Sequence, residues 1–191
     1  MDKLTPQQRH RIMAAIHSKN TKPELIVRKW LWSHGYRYRL NVKSVPGKPD
    51  IVMRRYRTAI FVNGCFWHGH KLRKAQSEEL RVKSEEFTFD YENSKCCKIP
   101  KTNREFWVKK ICRNMERDQE EYRILQENGW HCIVVWECQL KSKLVEHTMQ
   151  QVELQLNKNF LSIYQHKFVP YIETEEEYLK AAEREEELKN S

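Results

Sequence analysis

Apolar positions along residues 20–70 recur first at helical spacing, then at strand spacing, then in short continuous runs. Thr21-Lys22-Pro23-Glu24 reads as a capping box, with Thr21 at the N-cap and Glu24 three residues on. It predicts a helix with Leu25, Ile26, Trp30, Leu31 and Val27 on its apolar face, ended by Gly35. Tyr36 to Leu40 alternates aromatic and basic residues, as a half-exposed strand does. The turn Val45-Pro46-Gly47-Lys48-Pro49 delivers Asp50 to a strand, Ile51-Val52-Met53. Arg54 to Arg57 connects it to a second strand over residues 58–62. A second capping box, Thr102 to Glu105, opens a long helix to about Asn128, with Phe106, Ile111, Met115, Tyr122 and Leu125 as its apolar set. Trp130 to Trp136 is the most strand-like run and is expected at the centre of the sheet. Helical spacing returns from about Leu144 to Leu161. The order predicts an α/β fold, a mixed sheet flanked by helices.

Three segments stand outside this pattern. Residues 3–17 read as a basic helix, an arm that orders on a ligand or docks on the core. Residues 71–95 are charged and lack a consistent period, so they read as a surface insertion, with one helical piece near 72–86. Residues 173–191 read as an acidic helix or tail.

Charge sharpens the division. The 191 residues carry a net charge of +9. From Glu173 onward eight glutamates face Lys180, Arg184 and Lys189, a net of −5, which leaves +14 on residues 1–172. Such a field favours polyanions, although composition alone fits a soluble basic protein equally. No apolar run approaches a membrane span, and the N-terminus has no apolar signal core. A reducing cytoplasm is therefore expected. The six cysteines then read as metal ligands or buried thiols, not disulfides.

The chemistry concentrates at Ala59 to His70, AIFVNGCFWHGH, where an apolar run stops and a thiol, two aromatics and two imidazoles follow. Two adjacent strands can set Asp50 beside the exit of this stretch. Pro-Asp, a hairpin and a second strand resemble the skeleton of the PD-(D/E)xK nucleases, but Phe61-Val62-Asn63 holds the place of the second acidic-x-Lys. By itself a Pro-Asp dipeptide is an ordinary turn, and Glu24 is most simply a cap. Cys65, His70, one of Cys96 and Cys97, and Cys138 offer four ligands of the kind tetrahedral zinc takes. Buried core cysteines are the alternative.

Gly47 to Asp50, Ile60 to His70, Pro100 to Trp107, Asn114 to Asp118 and Val135 to Cys138 together resemble the very-short-patch-repair (Vsr) DNA mismatch endonucleases, in order over roughly residues 5–141. The resemblance implies a restriction-endonuclease-like fold with a structural zinc. It implies a Mg²⁺-dependent nick in one strand of double-stranded DNA, 5′ of the T in a T·G mismatch, in repair of deaminated 5-methylcytosine by a bacterial cytoplasmic monomer. By residue, it implies that Asp50 and the main-chain carbonyl of Val62 bind Mg²⁺, that His68 is the general base with Glu24 in support, and that Asn63 lies beside the metal. Zinc would take Cys65, His70, Cys97 and Cys138, with Cys97 chosen from its pair. Phe66, Trp67 and Trp107 would wedge into the duplex, with Met13, Lys110 and Asn114 also at the DNA. The expected organisation is an arm over 1–20, an endonuclease domain over 21–165 interrupted by 71–95, and an acidic extension over 166–191. Asn63 departs from the pattern, since the family usually has histidine there. A restriction-type nuclease that cuts matched DNA and an inactive DNA-binding module are the rival readings.

Overall fold

A computed structural model describes residues 5, 7–8, 11, 19–74 and 91–165. Met13, most of the N-terminal arm, the middle of the insertion and the acidic extension lie outside the described residues. A four-stranded mixed sheet forms the centre. Its strands are β1 (Arg39–Leu40), β2 (Ile51–Met53), β3 (Thr58–Asn63) and, after a long crossover, a strand over His131–Trp136. β1, β2 and β3 run antiparallel in turn. A 3₁₀ turn, Arg54–Tyr56, and Arg57 at φ 41° close the β2–β3 hairpin. Two short strands, β4 (Arg73–Lys74) and β5 (Tyr91–Glu92), pair antiparallel with each other, so the two ends of the insertion are tied together. The crossover strand is therefore β6. Three helices are described, α1 (Lys22–Ser33), α2 (Arg104–Glu127) and α3 (Val145–Tyr164).

Neither β2 nor β3 alternates in polarity, because both of their faces are covered. Ile51, Met53 and Ile60 pack with Val27 and Leu31 of α1 and Met149, Val152 and Leu156 of α3. Their sequence neighbours Val52, Ala59 and Phe61 pack on the other face with Leu125 and Tyr122 of α2. β6 pairs in parallel with β3, from Thr58 opposite His131 to Asn63 opposite Trp136. It is an edge strand, opposite β1, not the central one expected from its composition. Its apolar character comes from helices on both faces: Ile133 and Val135 join the α1/α3 core, and Cys132, with Trp130 just before the strand, the α2 side.

Two further expectations change. On α1 the buried face is Glu24, Val27 and Leu31, and Leu25 and Ile26 are exposed. They lie off the stripe that Val27 and Leu31 define one turn apart. The second capping box does not form. Asn103, at φ 53°, is the N-cap of α2 without a side-chain cap bond, and Glu105 pairs forward with Lys109.

Asn159 of α3 is a buried polar tie to the sheet. Its Nδ2 donates to Thr58 Oγ1 at 3.0 Å, and Thr58 Oγ1 donates to Tyr56 O at 2.8 Å. Asn159→Ala leaves a buried hydroxyl short of a partner and should cost about 1–3 kcal/mol. Urea unfolding measures this, and an unchanged midpoint would contradict the tie.

Candidate active site and metal centre

Where β2 begins and β3 ends, a cleft of about 470 Å³ opens between the start of α1 and the middle of α2. Asp50 enters it from the Pro-Gly turn, and its Oδ2 accepts the Val62 N–H across the hairpin at 2.8 Å. Burial pushes the Asp50 carboxyl up to about 6; the Val62 N–H works against that rise, nearby Glu24 adds to it, and His68 opposes it. Glu24 lies in the same cleft and still serves the cap. Its Oε1 accepts from Thr21 Oγ1 at 2.9 Å, and its Oε2 accepts from the Asn20 N–H at 2.9 Å. The cap and cleft roles of Glu24 are thus compatible.

His68 sits on the loop after β3, and its Nδ1 is bonded to Asp118 Oδ2. That bond fixes the ring and leaves Nε2 as the nitrogen able to take a proton. Asp118 comes from α2, is only 8% exposed, and also meets Arg117 at 3.3 Å. Its role was not anticipated from the sequence, although a signal was there. Ile111, Met115, Asp118, Tyr122 and Leu125 repeat at helical spacing, so a carboxylate occupies a position in the apolar stripe. A charge in such a position needs a partner. Asn63, also buried, donates from Nδ2 to Tyr122 OH at 3.0 Å.

Beside the cleft, Cys65, His70, Cys96 and Cys138 present ligand atoms all within 4.8 Å of one another. The three sulfurs lie 3.6, 3.2 and 3.3 Å from His70 Nδ1. A tetrahedral ion bound by sulfur and imidazole would set these atoms roughly 3.5 Å apart, so the donors fit such an ion in number, type and spacing. Cys97, the expected ligand, is not in the cluster. Its side chain is fully buried and faces Phe66 O at 3.8 Å, while its N–H donates to Ser94 Oγ. The chain turns only Cys96 toward His70. Burial pushes the Cys65 thiol up to about 12, so metal binding there must displace a proton. Trp136 stacks on the His70 ring, centroids 4.1 Å apart. Gly69, at φ 61°, packs the loop onto α2 where a Cβ would fall 2.5 Å from Met115 Sδ.

Between Cys65 and His70, Phe66 and Trp67 meet Trp107 of α2. The Phe66 ring lies 5.1 Å from Trp67 and 5.2 Å from Trp107. Phe106, expected on the apolar face of α2, is instead 58% exposed and extends this aromatic group at 5.2 Å from Trp107. Asn114 supports it from below, donating to Trp67 O at 2.8 Å. Lys110 is exposed on the same helix. No helix among the described residues is long and apolar enough to cross a membrane.

The family model described as DNA mismatch endonuclease Vsr matches residues 1–74. The chain is 42% identical over 144 residues to the Type II nicking enzyme V.NmeAIP of Neisseria meningitidis, covering 75% of this chain and 87% of that enzyme. It is 40% identical over 139 residues to the Type II nicking enzyme V.XorIIP of Xanthomonas oryzae, covering 73% and 86%. It is 36% identical over 142 residues to the DNA mismatch endonuclease Vsr of Escherichia coli, covering 74% and 75%.

Two outcomes test this geometry. Cys96→Ser should abolish tight Zn²⁺ binding and Cys97→Ser should keep it; metal analysis giving the reverse would contradict the cluster. The Asp50 carboxyl titrates near 6 in the fold against an ordinary 3.8. Its ionisation therefore opposes folding, and the stability present below about pH 3.8 is lost as pH rises through 6. Without divalent cations, Asp50→Asn should be more stable than the parent at pH 8 by up to about 3 kcal/mol, the gap closing toward pH 4. A variant less stable at pH 8 would contradict the burial.

Proposed function

The chain belongs to the Vsr DNA mismatch endonuclease family, and from that premise we propose that it nicks one strand of duplex DNA 5′ of the T in a T·G mismatch, with Mg²⁺ as cofactor. That it is a DNA endonuclease follows from the family; the mismatch, the strand and the ion are the proposal. The carrying observation is the meeting of Asp50, Glu24 and the His68–Asp118 pair in one cleft beside the aromatic group.

His68 takes a proton at Nε2 from the attacking water. Asp118 holds the ring by Nδ1 and favours the imidazolium that results. Asp50, with the main-chain carbonyl of Val62, would hold Mg²⁺, which when bound neutralises the phosphate and the charge developing on the leaving oxygen. The Val62 N–H bond keeps Asp50 aimed along the strand end. Arg117 and Lys48 line the same cleft and favour an anionic substrate.

Phe66, Trp67 and Trp107 insert at the mismatch. Each stacked base is worth about 1–3 kcal/mol, and a mispaired step costs less to unstack than a matched one. Cys65, His70, Cys96 and Cys138 would hold zinc, a closed site that fixes the loop and takes no part in the chemistry. A genomic DNA substrate fits a protein of the bacterial cytoplasm, and a nick in one strand needs a single active site, as a monomer supplies.

Labelled T·G and T·A duplexes with Mg²⁺ test the reading. One nick beside the T is expected only in the mismatch. It should be lost in Asp50→Ala and slowed about 10²–10⁴-fold in His68→Ala. Cleavage of both strands of the matched duplex would move the protein to restriction-type chemistry. Binding of T·G without a nick by parent and Asp50→Ala alike would leave a binding module.

A further inference from the structure

Asn63 closes β3 and is 5% exposed. It lines two spaces at once, the cleft that holds Asp50 and a second cavity of about 280 Å³ behind it. Tyr122 lines only the second. Asn63 Nδ2 donates to Tyr122 OH, so the nitrogen end of the amide is turned toward the rear cavity. No buried side-chain N or O among the described residues lacks a hydrogen-bond partner. Among the described residues nothing donates to Asn63 Oδ1, so this oxygen reaches solvent. With the nitrogen held by Tyr122 of the rear cavity, the oxygen end of the amide is left for the Asp50 cleft, which Asn63 also lines.

The Tyr122 hydroxyl is itself well fixed. Its ring packs edge-on against Phe61 of β3 at 4.9 Å, and the residue sits in the stripe by which α2 docks on the sheet. An amide has two ends of similar shape and opposite polarity. Left alone, it can present either end to the cleft. Turned the wrong way, it would set an N–H₂ donor where a cation or its bound water requires an acceptor.

We propose that Tyr122 is a positioning residue of the nuclease site: by holding the Asn63 nitrogen it presents Oδ1 to the divalent cation shell at Asp50, as a neutral acceptor that does not titrate. The inference rests on the proposed cation site. It predicts that Tyr122 acts wholly through the orientation of an amide, which makes it testable by a cycle of variants.

Full-length protein, loaded with Zn²⁺, is titrated with Mn²⁺ as an oxygen-seeking probe, free Mn²⁺ being read by electron paramagnetic resonance. The Mn²⁺ concentration for half-maximal nicking of the T·G duplex is measured beside it. Loss of a partner that orients a metal's surroundings weakens binding by about 10–100-fold. Tyr122→Phe should weaken Mn²⁺ about 10-fold in both readouts, Asn63→Ala at least as much, and the double variant no more than Asn63→Ala. In an Asn63→Asp background, Tyr122→Phe should change nothing, because a carboxylate offers oxygen at both ends. Unchanged affinity in Tyr122→Phe would overturn the proposal. So would a full additional loss from Tyr122→Phe on top of Asn63→Ala or Asn63→Asp, since that marks a merely structural role. If the parent protein shows no divalent-cation-dependent nick at T·G, the proposed function itself fails, a result distinct from these.

Discussion

The parallel pairing of β3 with β6 is the constraint on which the site depends. Its last pair sets Asn63 opposite Trp136. Both strands therefore end at the same level, and the chain leaves each in the same direction. Cys65 follows one strand by two residues and Cys138 follows the other by two. Register alone brings two thiols from distant parts of the sequence to one Cys/His cluster. A slip of one residue would turn every side chain of β6 to the opposite face, burying Cys132 and Val134 where Ile133 and Val135 belong. Ile133 and Val135 are buried and Cys132 and Val134 only half-buried, so the slip would exchange core side chains for ones that fit the core less well.

A parallel pair needs a crossover, and α2 is the crossover. It serves the site along its whole length. Trp107 stands in the aromatic group at its start, Met115 and Ile111 take up the Gly69 turn, and Asn114 holds the Trp67 carbonyl. Asp118 engages His68, Tyr122 engages Asn63, and Leu125 anchors the far end in the core. The loop from Gly64 to His70 is thus tied to the Cys/His cluster at its two ends and to a helix along its side. Large aromatics can stand partly in solvent there because the backbone beneath them is fixed.

Fold class, the two antiparallel strands around the Pro-Asp turn, the place of Asp50 in the cleft and three of the four clustered Cys and His residues were legible in the sequence. Each is a local signal, a capping residue, a turn or a run of one polarity. The misses share a physical cause. Whether β6 lies at the centre or the edge depends on what covers its faces, and helices there look the same from sequence as neighbouring strands. Cys96 and Cys97 are adjacent, and only the turn around Ser94 decides which thiol faces His70. Asp118 and Tyr122 were visible as members of a helical stripe, but their partners lie 50 and 59 residues away. Leu25, Ile26 and Phe106 are apolar residues that the packing leaves outside, and hydrophobicity alone does not distinguish them from core.

The central claim is that the Cys65–His70–Cys96–Cys138 cluster holds the loop that carries both the aromatic group and His68. Stripping that metal from the full-length protein and measuring its preference for T·G over T·A duplex in binding, with Mg²⁺ withheld, tests this most directly. The account predicts that the preference collapses on stripping and returns when Zn²⁺ alone is restored. Metal-free protein that still distinguishes T·G from T·A as well as the loaded form would contradict it.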